Sequence, residues 1–221
     1  MDPLFCDVAW PSGNFHIAGG TDAGILAALM PEIQRKWDAR YRESDGEQPV
    51  AAEVLSQHLH LLPASGNALD LACGRGGNAL LLAKQGLTVC AQDISPVAIE
   101  QLQQTAQQKQ LAIQAEQRDV LKNPPAAEQY NVLVVSYFLE RDLVPALVHA
   151  LKPGGLLFYQ TWCRQKAAGH GPTNPDYLLA DNELLRLFAA LRPRVYREEA
   201  LLGDVSRGFR DVAMLVAERC D

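Results

Sequence analysis

The chain has 221 residues, of which 48% are hydrophobic and 21% charged, with 20 Lys and Arg against 26 Asp and Glu for a net charge of −6. That composition excludes intrinsic disorder and predicts one α/β domain with decoration, burying a substantial core. The acidic balance denies a polyphosphate chain the positive field it would need, so a nucleic-acid partner is disfavoured.

Residues 1 to 22 hold Pro3, Pro11, Gly13, Gly19 and Gly20 without a sustained period and read as an irregular arm ending at a cap near Thr21 or Asp22. A helix is expected to start there, and Pro31 to begin a second one carrying Ile33, Trp37 and Tyr41 on one face. Glu43 to Gln48 reads as a loop. Pro49 then opens another helix, with a stripe of Val50, Val54, Leu55 and Leu62 up to Pro63.

From Asn67 the texture changes to short apolar runs separated by helix-length segments. Strands are expected at 68–72, 88–92, 113–117, 131–137 and 156–161. Helices are expected at 78–85, at 96–108 with Ser95 as cap, and at 142–151. A helix at 181–191 and an antiparallel pair, 195–200 with 211–217, finish the chain. This alternation predicts an α/β fold: a doubly wound, mostly parallel, seven-stranded Rossmann-like sheet with an antiparallel C-terminal hairpin and a helical N-terminal extension. The expected division is an arm with lid helices over 1–64 and a ligand-binding core over 65–221.

The segment Asp70-Leu-Ala-Cys-Gly-Arg-Gly-Gly-Asn78 is a glycine-rich turn between a strand and a helix. Alone it could cradle a pyrophosphate or be a tight turn. Asp70, however, would repel a pyrophosphate and can accept hydrogen bonds from an ammonium group. Asp93 ends the second strand, where a carboxylate can accept from both hydroxyls of a ribose. Asp119 follows the third, where it can accept from an adenine amino group while Val120 offers its main-chain N–H. Three acids after three successive strands line one edge.

On these residues the chain resembles the class I S-adenosylmethionine-dependent methyltransferases, with Ala72 where that family's glycine motif more often has Gly. Leu151-Lys-Pro-Gly-Gly-Leu156 and the terminal hairpin are similar to the family's as well. A narrower likeness is to the tellurite-resistance and thiopurine methyltransferase-like enzymes. It rests on Trp37-Asp-Ala-Arg-Tyr41, Asp93-Ile-Ser-Pro-Val-Ala98, Tyr137-Phe-Leu-Glu-Arg141 and Pro172-Thr-Asn-Pro-Asp-Tyr-Leu-Leu179. The resemblance implies a cofactor site of Trp37, Arg40, Tyr41, Asp70, Ala72, Gly74, Gly76, Asn78, Asp93, Ile94, Asp119, Val120 and Ser136. It implies S-adenosylmethionine as donor, S-adenosylhomocysteine as product, and a small-molecule acceptor, a metalloid oxyanion or a thiol if the narrower likeness holds.

In-line methyl transfer needs no covalent intermediate, so no nucleophile is assigned and the acceptor-pocket candidates are Tyr137, Arg141 and His170. Each also has a plain reading, as a packing phenol, a solvated helix-start Arg and a loop His. The rivals are a methyltransferase acting on RNA or protein, served by the basic cluster Arg35, Lys36, Arg40 and Arg42, and a non-catalytic module binding the cofactor or a dinucleotide. Five dispersed cysteines (Cys6, Cys73, Cys90, Cys163, Cys220) fit neither a disulfide framework nor a metal site. The first basic residue is Arg35 and the longest apolar run is only Ala23 to Met30, so the expectation is a cytoplasmic protein without a membrane span.

Overall fold

The computed structural model describes residues 23–44, 46 and 48–220, with side chains from residue 32 onward. The arm expected over residues 1 to 22 lies outside the described residues.

In chain order the elements are α1 (Ala23–Glu43), α2 (Glu53–Ser56), β1 (Asn67–Leu71), α3 (Gly77–Lys84), β2 (Thr88–Asp93), α4 (Pro96–Gln108), β3 (Ile113–Gln117) and β4 (Tyr130–Ser136). Then come α5 (Val144–Ala150), β5 (Leu151–Trp162), α6 (Glu183–Leu187), β6 (Arg192–Glu198) and β7 (Val212–Glu218). They form one seven-stranded sheet of order β3-β2-β1-β4-β5-β7-β6. The first five strands run parallel, and β7 is antiparallel to both β5 and β6. The expected doubly wound sheet with an antiparallel C-terminal pair is therefore the observed fold, with β7 inserted between β5 and β6. The chain reverses direction across the sheet between β1 and β4, the point where a crevice opens at the strand C-termini.

Each sheet face carries one core cluster. Val132 and Val134 of β4 enter the first, with Leu55, Leu82, Leu102 and Phe158. Leu133 and Val135 enter the second, with Leu69, Tyr159, Phe188 and Leu215. A strand covered on both faces has no solvent side, which is why the Val-Leu-Val-Val run shows no polar alternation. Helix α4 matches its expected bounds because its start is chemically fixed: Ser95 Oγ accepts from Ala98 N at 3.3 Å and Pro96 needs no N–H partner at the first position.

Elsewhere the structure departs from expectation for local reasons. Pro31 does not start a new helix: α1 runs through it, one N–H short. The helix expected from Pro49 to Pro63 shrinks to α2 and a single 3-10 turn, Leu59–Leu61. Two main-chain donors that would have fed it point elsewhere, Ala52 N to Asn78 Oδ1 and Val54 N to Gln160 Oε1, both at 2.8 Å. Val50, expected in the apolar stripe, is 87% exposed. The 181–191 helix is shorter than expected, Glu183–Leu187, and a turn and a bend over residues 188–191 lead into β6. Pro153-Gly154-Gly155 sits in a bulge within β5, at the register shift opposite Tyr130 and Val132.

Candidate active site

The glycine turn leaves β1 through two left-handed residues, Ala72 at φ 54° and Gly74 at φ 52°, and Gly76 at φ 80° caps α3. The position that more often holds Gly in the resembling family is left-handed in this chain, and Ala72 carries about 1 kcal/mol of strain to hold it. Gly74 lies directly under the Tyr41 hydroxyl, since a Cβ there would stand 2.9 Å from Tyr41 Oη. At Gly77 the neighbour is main chain: a Cβ would meet Val50 O at 2.2 Å. Gly77→Ala should therefore push the 50–54 segment off the site. The expected cost is about 1 to 3 kcal/mol, read as a melting temperature lower by about 2 to 12 °C. An unchanged melting temperature would show that this segment is not seated as described.

The three acids occupy one edge. Asp70 is buried in β1, where Oδ2 accepts from Ala79 N at 2.9 Å and Oδ1 from Asn78 Nδ2 at 3.3 Å. Burial raises its carboxyl to about 7 against these two hydrogen bonds. Asp93 at the end of β2 accepts from Ser95 N at 2.9 Å and Gly74 N at 2.8 Å, and burial raises it to about 6. The Ile94 main chain donates as well, and a carboxylate with about four lone-pair sites still keeps capacity for a ribose hydroxyl. Asp119 Oδ1 receives Leu121 N at 3.2 Å and Lys122 N at 3.4 Å, but its Oδ2 is buried without a hydrogen bond, Lys122 Nζ standing 3.5 Å off. A buried carboxylate oxygen in that state calls for a donor, and an adenine amino group is one. Val120 beside it is buried, and the half-buried Ile94 follows Asp93. The residues present thus fit the ammonium group, ribose and adenine of an adenosyl amino acid.

Two elements cover this edge. Trp37 and Tyr41 of α1 stack at 5.8 Å between ring centroids. Asp38, buried between them, accepts from Ser95 Oγ at 2.5 Å. Gln101 Nε2 donates to Tyr41 O at 3.2 Å, Arg75 Nη1 donates to Ser44 O, and Arg40 lies half-buried one residue before Tyr41. Burial, and then the negative charge of Asp93, push the Tyr41 phenol well above its usual value. On the other side Asn78 acts as a junction, accepting from Ala52 N and donating to Asp70 and, at 2.9 Å, to Ser136 Oγ.

Beyond Ser136 the chain builds a wall. Tyr137 is left-handed at φ 56°, its Oη accepts from Gln160 Nε2 at 2.8 Å, and its ring lies 5.0 Å from that of Trp162. Arg141 follows in the 3-10 turn Arg141–Leu143. Its Nε and Nη2 grip Glu183 at 2.7 and 3.2 Å, and its Nη1 and Nη2 donate to Asp176 O and Leu178 O. It thereby ties the 176–183 segment to the chain that follows β4. His170 contacts Asp211 at 3.2 Å. Sequence reasoning held Asp38 and Ser95 only inside quoted motifs, with Ser95 as a cap, and missed Gln160, Trp162 and Asp211 as parts of this region. Only Gln160, polar within Leu-Leu-Phe-Tyr-Gln-Thr-Trp, and Asp211, acidic before the apolar run of β7, carried a signal.

A groove of about 540 Å³ lies at the opposite end of the sheet, between His60, Pro63, Asn131 and Gly154, where Arg194 and Glu218 pair with each other. No helix among the described residues is long and apolar enough to cross a membrane.

Residues 68–155 match the family model described as "Methyltransferase domain". The ubiquinone biosynthesis O-methyltransferase of Xanthomonas oryzae pv. oryzae is 30% identical over 172 residues, 71% of this chain and 66% of that protein. The chain spans between 31% and 66% of the length of the curated relatives it matches. Among solved structures, TehB from Haemophilus influenzae superposes with a TM-score of 0.63 at 20% identity, covering 83% of this chain and 67% of that one. Geranyl diphosphate C-methyltransferase from Streptomyces coelicolor A3(2), crystallised with S-adenosyl-L-homocysteine, superposes at 0.65 with 15% identity, covering 86% and 98%. With the three-acid edge and the glycine turn, these likenesses identify a methyltransferase domain built on the class I S-adenosylmethionine-dependent fold.

Proposed function

We propose that the chain transfers the methyl group of S-adenosylmethionine to a small-molecule nucleophile, releasing S-adenosylhomocysteine. The observation that carries this reading is one sheet edge that holds three carboxylates, Asp70, Asp93 and Asp119, the last with its Oδ2 buried and without a hydrogen bond beside the Lys122 ammonium at 3.5 Å. Asp70 would hold the donor's ammonium group, directly or through water, Asp93 its ribose and Asp119 with Val120 its adenine. The donor supplies an electrophilic methyl carbon when bound, and this chain's own contribution is alignment and exclusion of water. Residues 1–64 serve as arm and cover, with Trp37, Arg40 and Tyr41 over the methionine end, and residues 65–221 as the core. The tellurite-resistance-like resemblance favours a metalloid oxyanion or a thiol. Arg141, the cation expected to receive an oxyanion, is engaged by Glu183, and the relative matched over most of this chain is named for O-methylation. An uncharged hydroxyl acceptor is the better fit.

Thermal-shift titration with S-adenosylmethionine, S-adenosylhomocysteine and NAD in parallel tests this. Ligand at about 100 times its dissociation constant adds about 2.7 kcal/mol, which is a rise of about 5 to 11 °C for a chain of this size. Both adenosyl compounds should produce it and NAD should not. A rise with NAD alone, or with nothing, would overturn the reading.

A further inference from the structure

We infer that His170, held by the buried carboxylate of Asp211, is the general base that takes the proton of an aromatic hydroxyl acceptor. This rests on the methyl-transfer reading above. Asp211 precedes β7 at φ 65° and is only 2% exposed. Its Oδ1 accepts from Ala167 N at 2.6 Å and Ala168 N at 3.1 Å, and its Oδ2 from His170 N at 3.1 Å. Those three donors close the 164–172 loop without help from an imidazole, yet His170 Nδ1 also stands 3.2 Å from Oδ2. A carboxylate only accepts, so a neutral imidazole meets this contact best with its proton on Nδ1, which leaves the lone pair on Nε2. The His170 side chain is 38% exposed, so that nitrogen is not sealed in the core.

The next residue fixes where the dyad stands. Gly171, at φ 79°, presses its backbone so closely on Trp162 that a Cβ would meet the indole at 2.4 Å. Trp162 in turn packs on Tyr137, whose hydroxyl Gln160 holds. The loop that carries the base therefore lies on the tilted Tyr137–Trp162 pair at the C-terminal ends of β4 and β5, with rings 37° apart, where the half-buried Tyr137 can meet a planar ring by edge contact. With Arg141 spent on Glu183, the wall offers a proton acceptor rather than a guanidinium. The step balances as follows in atoms and charge: the acceptor O–H proton moves to His170 Nε2, the acceptor oxygen forms a bond to the methyl carbon, and the carbon–sulfur bond breaks with its electron pair left on sulfur. The resulting imidazolium faces Asp211 and later yields its proton to water. Asp211 is the positioning residue.

The test compares phenol with 4-nitrophenol at about pH 8, where 4-nitrophenol is largely ionised and phenol is not. His170→Ala should lower kcat/KM for phenol by about 10²- to 10⁴-fold and for 4-nitrophenol by less than about tenfold, and added imidazole should restore part of the phenol rate. Asp211→Asn should show the same unequal pattern. Without any cofactor, wild-type protein mixed with 4-nitrophenol below its ionisation pH should develop the phenolate absorption band, and His170→Ala should not. Nitrogen NMR of the wild-type protein should show His170 as the Nδ1-protonated tautomer. S-adenosylhomocysteine affinity, measured on each variant by calorimetry, reports an intact core. Equal losses for both phenols, or a wild-type protein that binds S-adenosylhomocysteine yet neither methylates nor ionises a phenol, would overturn the inference alone. Absence of S-adenosylhomocysteine binding would instead remove the methyl-transfer reading and this inference with it.

Discussion

Affinity for S-adenosylhomocysteine should climb by up to about a hundredfold per pH unit between roughly pH 5 and 6, where two acids must ionise, by up to about tenfold between about pH 6 and 7, and flatten above that. In the free protein burial holds the Asp70 carboxyl at about 7 and the Asp93 carboxyl at about 6. Both are above the value a carboxyl has in an unfolded chain. For the free protein the sign follows: these groups favour folding at low pH, and that contribution is lost as the pH rises through their raised values. A bound ammonium group and ribose hydroxyls reverse the preference, because they stabilise the ionised acids and lower both values. Binding below pH 7 must therefore expel protons, and the thermal shift caused by the ligand should grow from about pH 5 to about pH 8. Calorimetry in two buffers of different ionisation heat would read the proton release directly. Asp70→Asn removes the group with the higher value, so its profile should lose the climb between about pH 6 and 7. A flat wild-type profile would show that neither acid meets the ligand.

Those two acids were legible because their chemistry and their place coincide. A carboxylate is costly to bury in a parallel strand or at its end, so Asp70 and Asp93 stood out against Ala-Leu-Asp-Leu-Ala and Val-Cys-Ala-Gln-Asp. The sheet was equally legible, since runs such as Val132 to Val135 can be satisfied only by cover on both faces. Residues 49–63 were not. Their apolar spacing is helical, but the donors of Ala52 and Val54 are captured by Asn78 and Gln160, residues 26 and 106 positions away. Local periodicity carries no record of such long-range partners. Arg141 shows the same limit, because its role depends on Glu183, 42 residues further on. Asp211 and His170 meet only once β7 has inserted beside β5, an antiparallel placement that composition does not announce.

Removing the cover should weaken the donor more than the product. Trp37 and Tyr41 stack on each other, with the Tyr41 hydroxyl over Gly74 and its phenol within the field of Asp93. The helix that bears them is anchored through Asp38 on Ser95, Gln101 on Tyr41 O and Arg75 on Ser44 O, none of which needs the two aromatic rings. A Trp37→Ala, Tyr41→Ala double variant should thus keep α1 in place while baring the methionine end of the site. Each ring withdrawn from a covered ligand forfeits about 1.5 to 3 kcal/mol of burial. Two such losses predict at least about a hundredfold fall in S-adenosylhomocysteine affinity. S-adenosylmethionine carries a positive sulfur that an aromatic face attracts by about 0.5 to 2 kcal/mol, so its affinity should fall a further twofold to thirtyfold. Parallel calorimetry with the two ligands separates the effects. Equal losses would leave the rings as a neutral lid, and no loss in either would place the methionine end of the site away from α1.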